Sequence, residues 1–361
     1  MPIPTELQKI LQLARREGAS DIHIVAGIPP AMRINGQIVL VDRPPLTRQQ
    51  ASEMCMALLN PEQRKAFERD WQLCLALVDP QLGRFRVAVY LHAGSPEMSI
   101  RPVLDVIQGR DQLRLPREIE DLTRLQSGLI LITGPTGSGK TTTMKFMIDL
   151  INSERRCKVI TIEDPVEYLH RPKKAIIVQQ ELYLDVKSFA KALVHVLRQN
   201  PDVICIGEMR DAETTETALI AAETGHLVIA TCHTPSVVQT AERIVAIFPE
   251  SKQPQIYQQL ANSLRAIIAQ RLIPSASGRE RYLAVELLLM NYAARKHIRD
   301  RQLHLLYNVM QTGGKVGMRT MDDSLMELYQ QGLITYESML SNAEHPSTIR
   351  SRLEKGLQQR Q

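Results

Sequence analysis

Leu129-Ile130-Leu131-Ile132-Thr133-Gly134-Pro135-Thr136-Gly137-Ser138-Gly139-Lys140-Thr141-Thr142 is the stretch on which the reading of the chain turns. A short apolar run enters a glycine-rich turn. The turn leads into Lys140–Ile151, where Met144, Met147, Ile148 and Ile151 recur at helical spacing. Strand, turn and helix in that order are the setting in which G-x-x-x-x-G-K-[ST] binds phosphate. Gly134, Gly139, Lys140 and Thr141 occupy every fixed position. The glycines let successive backbone N–H groups turn inward as an anion nest, and the helix N-terminus adds the positive end of its dipole. The expected ligand is ATP, held by Gly134, Pro135, Thr136, Gly137, Ser138, Gly139, Lys140, Thr141 and Thr142. Lys140 is expected to bridge the β- and γ-phosphates, and the Thr141 hydroxyl to reach Mg²⁺.

Downstream, Val159–Ile162, Val203–Ile206 and Leu227–Thr231 are short, continuously apolar runs separated by helical patterns. Such runs suit a parallel sheet covered on both faces, which predicts a doubly wound α/β core. In such a sheet the strand carboxyl ends gather at the ligand crevice. Glu163 follows the first run, and Gly207-Glu208 follows the second. A Walker B run usually ends in Asp; here Gly207 stands in that place and Glu208 comes next. Both glutamates are therefore expected near the γ-phosphate, one orienting water and the other serving the metal. Spacing alone does not assign the two roles.

The first hundred residues have a different texture. Thr5-Glu6-Leu7-Gln8 reads as a capping box opening an amphipathic helix, and Asp21–Val25 alternates as a strand. Asn35-Gly36 marks a hairpin turn, residues 47–68 are helical with a break at Asn60-Pro61, and Arg84–Tyr90 is a strand. This is a small α+β domain, residues 1–103. Asp105, Gly109, Asp111 and Pro116 punctuate a linker at 104–118, and the ATPase domain takes 119–361. The last ninety residues read as helices.

Net charge is +5, from 44 basic and 39 acidic residues that are interspersed, so no direct nucleic-acid partner is expected. The five cysteines include no C-x-x-C pair and read as reduced thiols of a cytosolic protein. No apolar run approaches the ~20 residues of a membrane span, so membrane work would go through partners.

Three further stretches carry a family resemblance. Glu163-Asp164-Pro165-Val166-Glu167 resembles the Asp box, Gly207-Glu208-Met209-Arg210-Asp211 the Walker B and Gly225–Thr234 the His box of the type II/IV secretion ATPases. Ala19–His23, Gly27–Pro30 with Arg33, and Gln311–Gly314 with Gly317-Met318 resemble the PilT-type retraction ATPases of type IV pili. The resemblance implies a PAS-like α+β N-terminal domain, a RecA-like P-loop core and a helical C-terminal segment. It implies a homohexamer that hydrolyses ATP with Mg²⁺ to withdraw pili. Such a ring is cytoplasmic and held peripherally at the inner membrane by a pilus platform protein, with a second retraction ATPase as a further partner. It assigns Glu163 to polarise water, Glu208 to support Mg²⁺, and His226 and His233 to sense the γ-phosphate and the subunit boundary. It casts Arg84, Arg86 and Arg101 as arginines that reach a neighbour's nucleotide.

Assembly motors usually carry an extra N-terminal domain and a four-cysteine zinc motif, neither of which is seen here; retraction is the expectation. Assembly, secretion, conjugation and an accessory nucleotide-binding ring subunit are the alternatives. The family's A-I-R-N-L-I-R-E helix is replaced by Ala293-Ala294-Arg295-Lys296-His297-Ile298-Arg299-Asp300. There Arg295, Ile298 and Arg299 are expected to share a face toward the partner.

Overall fold

The computed structural model describes residues 3–34, 36–103, 107–278 and 280–358. Asn35 of the expected hairpin turn and residues 104–106 of the expected linker lie outside the described residues. The chain forms two compact units. One comprises 1–106, 162–171 and 179–192, and the other 107–161, 172–178 and 193–361.

The first unit is built on an antiparallel sheet of β1 (Asp21–Ile24), β2 (Ala31–Ile34), β3 (Gln37–Leu40), β4 (Gln72–Asp79), β5 (Gly83–His92) and β6 (Ser95–Pro102), in the order β3-β2-β1-β6-β5-β4. Helices Thr5–Arg16, Arg48–Met56 and Pro61–Asp70 bring Leu7, Ile10, Leu11, Met54 and Phe67 into the core this sheet shares. Strand alternation splits β5 cleanly: Phe85, Val87 and Val89 are buried in that core, and Arg84 and Arg86 point to the other face. Each large apolar side chain buried this way contributes about 1.5–3 kcal/mol. The capping box expected at Thr5 does not form. Pro4 takes the N-cap position with extended backbone and Thr5 is already helical. Proline presets the φ that starts the helix one residue earlier.

In the second unit lie most of β7 (Gly128–Thr133), β8 (Lys158–Glu163), β9 (Ile176–Glu181), β10 (Val203–Ile206), β11 (Leu227–Thr231), β12 (Leu264–Pro274) and β13 (Arg281–Leu289). The sheet order is β13-β12-β7-β11-β10-β8-β9. β10, β11, β7 and β12 pair in parallel, and β13 returns antiparallel to β12. The expected strands are all present. The helical reading of the last ninety residues is corrected at β13: Leu283–Leu289 is an apolar run that periodicity cannot assign, and pairing with β12 makes it a strand. Helices resume at Tyr292 and include Met321–Gln330, Tyr336–Asn342 and Pro346–Gln358. Among the described residues no helix is long and apolar enough to cross a membrane.

Candidate active site

In the second unit, β7 ends at Thr133, the loop 134–139 follows, and the helix Lys140–Glu154 starts from Gly139. Lys140 Nζ donates to the carbonyls of Gly134 (2.8 Å) and Pro135 (3.0 Å) and lies 3.4 Å from His233 Nδ1. Burial holds the Lys140 amine below its ordinary range, while the Glu208 carboxylate pulls the other way. The Ser138 hydroxyl is buried without a hydrogen-bond partner among the described residues. A loop with such an unspent donor, a buried ammonium and a helix N-terminus fits a polyphosphate.

The parallel register puts the ends of β10 and β11 at the same edge as this loop. Met209 N donates to Thr231 O (3.0 Å), Thr231 Oγ1 to Gly207 O, and Cys232 N to Ile132 O (2.9 Å). Glu208 there accepts His233 Nε2 at 2.9 Å and Arg210 Nη2 at 2.5 Å. Burial opposes its ionisation, but the bonds from Arg210 and His233 prevail and hold the carboxyl below its usual range. Glu208 is thus a carboxylate at neutral pH, and with the Thr141 hydroxyl it suits the outer ligands of a Mg²⁺ carried by phosphate oxygens. Burial and the nearby Glu208 push the Cys232 thiol up to about 12, so it is no nucleophile. Glu208, Arg210, Cys232, His233, Arg243 and Ile244 line a cavity of about 460 Å³.

The two histidines of the His box stand at opposite ends of β11. His233 lies beyond the carboxyl end of β11. His226 precedes its amino end, where its carbonyl accepts Gly128 N (3.0 Å) and its Nδ1 lies 3.0 Å from Ala221 O. At ~3.3 Å per residue this is roughly 20 Å from His233, at the edge opposite the phosphate loop. Glu163 ends β8 and clusters with the first unit; it is 7 % exposed and its Oε1 accepts Gln179 Nε2 at 2.9 Å.

The three arginines share one sheet face in the first unit, with Arg101 directly opposite Arg86 in register. Each is engaged by a carboxylate. Arg86 Nη1 meets Glu167 (3.1 Å) and is half-buried, whereas Arg101 Nη2 meets Asp21 (2.8 Å) and is exposed. Arg84 differs: it is buried against Glu181 (3.1 Å), whose carboxyl burial holds above the usual range despite bonds from Val166 N–H and Arg84. The helix Tyr292–Arg299 also departs from expectation. Ala294 and Ile298 are its buried stripe, Arg295 Nη1 caps the preceding helix at Ala261 O (2.5 Å) and Asn262 O (3.1 Å), and Arg299 is exposed. The expected set is therefore split: Ile298 joins Ala294 in packing inward, while Arg299 lies on the solvent side of the helix.

Sequence reading missed Gln270, whose Nε2 donates to Thr143 Oγ1 in the phosphate-loop helix (2.6 Å), and Glu286. For Glu286 the available signal was a single polar residue inside an otherwise apolar run, and for Gln270 a polar residue closing the apolar run Ala266–Ala269; such residues mark buried polar groups with a structural reason to be there.

Residues 84–349 match the model of the type II/IV secretion system protein family. The type IV pilus ATPase PilU of Pseudomonas aeruginosa is 37 % identical over 97 % of this chain and 92 % of its own length. The type IV pilus retraction ATPase PilT of the same organism is 36 % identical over 95 % of this chain and its whole length. A crystal structure of the pilus retraction motor PilT with bound ADP superposes with a TM-score of 0.87 at 44 % identity, over 94 % of this chain and 97 % of that one. The chain belongs to the type II/IV secretion system protein family and is one of its P-loop ATPases.

Proposed function

We propose that the chain is a hexameric motor that hydrolyses ATP to withdraw a type IV pilus. The observation that carries this is the convergence of Lys140, Glu208 and His233 at one sheet edge, in a chain similar to PilT and PilU over nearly its full length. Lys140 neutralises the β- and γ-phosphates, the loop N–H groups orient them, and Glu163 takes up the proton of the attacking water. Mg²⁺, held through Thr141 and Glu208, would supply charge neutralisation at the phosphate oxygens. His233 ties the Walker B carboxylate to the phosphate-loop lysine, so a change at one is felt at the other. Arg86 and Arg101 are the cations offered to a neighbouring subunit's nucleotide; Arg84 serves the first unit internally. Residues 1–103 and 119–361 form the two functional domains about the linker 104–118. Working at the inner membrane against a platform protein, beside a second retraction ATPase, completes the reading. The platform contact falls to Arg299.

The test separates chemistry from work. Lys140→Ala should abolish ATP binding. Glu163→Gln and Glu208→Gln should bind ATP but turn over about a hundredfold more slowly, the scale of a positioned base. Arg299→Ala should keep turnover and lose pilus withdrawal. A deletion strain with surface pili that do not retract supports the proposal; a strain lacking pili altogether would make this an assembly motor.

A further inference from the structure

Glu286 is the acid in Leu283-Ala284-Val285-Glu286-Leu287-Leu288-Leu289, and it is fully buried on β13. Burying a carboxyl in a sheet interior is costly unless something there needs it. Its Oε2 accepts the backbone N–H of Val237 at 2.8 Å, and its Oε1 has no partner among the described residues. Val237 is the first residue of the helix Val237–Ala246, where N–H groups have no intrahelical acceptor. Ser236 caps this helix at Gln239, so Glu286 meets a different orphan donor.

That donor stands four residues after His233. The segment between them is pinned from the other side as well. Thr133, the residue before the phosphate loop, donates through Oγ1 to Thr234 O (2.5 Å), and the Thr234 hydroxyl lies 2.8 Å from the Thr133 hydroxyl and 2.7 Å from the Thr240 hydroxyl. Residues 233–237 are thus strung between β7 and Glu286, with the His233 ring placed between Lys140 and Glu208.

We propose that Glu286 is a positioning residue for the ATPase site: by accepting the Val237 N–H it sets residues 233–237 so that the His233 imidazole spans Lys140 and Glu208. The inference rests on the reading of that site as the ATP-hydrolysing centre. It assigns work to the β12–β13 hairpin, which carries none of the nucleotide motifs.

The experiment uses the full chain and two ways of deleting one bond. Glu286→Met removes the acceptor. Val237→Pro removes the donor, at a helix position where proline is well tolerated and after a residue already extended. Hydrogen exchange should accelerate about tenfold or more over 232–237 in Glu286→Met while the helix 140–154 keeps its protection. Both variants should lower kcat for ATP by about tenfold or more and move KM by less than about twofold, as expected of misplaced catalytic groups. Glu286→Gln, which retains an acceptor, should restore turnover. In a His233→Ala background Glu286→Met should add less than about twofold, because its effect passes through His233. Wild-type turnover in Val237→Pro, loss of turnover in Glu286→Gln equal to that in Glu286→Met, or a full further loss on top of His233→Ala would each overturn the proposal. Unaltered turnover in Lys140→Ala would instead sink the reading of the site, while the exchange over 232–237 reports on Glu286 alone.

Discussion

The phosphate loop makes a sharp prediction about its glycines. A Cβ on Gly134 would lie 2.3 Å from the Gln270 carbonyl oxygen and 2.7 Å from Ser138 Oγ, at φ +139°. The carbonyl belongs to β12, where Gln270 is paired with Val285 of β13 and the adjacent Ala269 with Thr133 of β7, so the backbone there is held in place. Overpacking costs about 1–3 kcal/mol and a backbone conformation closed to side chains about as much again, so Gly134→Ala should cost roughly 3–5 kcal/mol. At about 2–4 °C per kcal/mol for a unit of this size, that is a fall in Tm of roughly 6–20 °C. Gly137 provides the control. A Cβ there meets nothing within 4 Å, and only φ +79° opposes it. Gly137→Ala should cost about 1 kcal/mol, or roughly 3 °C. Thermal melts of the two variants beside wild type, with binding of a fluorescent ATP analogue, make the comparison. If Gly134→Ala melts within about 2 °C of wild type, or no lower than Gly137→Ala, the claim that β12 sets the shape of the loop is wrong.

The buried Arg84–Glu181 pair should behave as a coupled unit: Arg84→Met strands a buried acid and costs about 3 kcal/mol, and adding Glu181→Gln should recover part of that in denaturant melts. Additive losses would show the pair is not coupled. Glu286 should make stability pH-dependent. Burial, with Glu344 and Asp322 adding to it and Val237 N–H and Arg271 opposing, pushes its carboxyl from 4.5 to about 8. The folded chain then holds this proton more tightly than the unfolded one, so stability falls as pH rises from 4.5 toward about 8 and levels off above. Wild-type Tm should therefore drop more than that of Glu286→Gln across this window; parallel curves would contradict the assignment.

Much of the site was legible in residue order because its chemistry is local. Gly134 to Thr141 must be contiguous to fold a nest onto a helix N-terminus, and Glu208 and His233 are placed by the strands they follow. The amphipathic split of β5 was equally readable, since side-chain alternation is a property of the strand itself. The partners of those residues were not readable. Arg84, Arg86 and Arg101 look alike in the chain, yet only Arg84 is buried, because Glu181 reaches it from almost a hundred residues away.

The sequence by itself determined that a P-loop stands between a buried strand and a helix, with acidic and histidine motifs after later strands. Local backbone preference and hydrophobic periodicity act over a few residues and leave their mark in order. Tertiary structure alone decided where residues of the same type are placed. It sent His226 to one edge of the sheet and His233 to the other, turned Ile298 inward, and made a strand of Leu283–Leu289. It also brought Gln270 and Glu286 beneath the nucleotide motifs from a hairpin that contains none of them. Those outcomes depend on register and on hydrogen bonds between segments far apart in the chain, which no local pattern encodes.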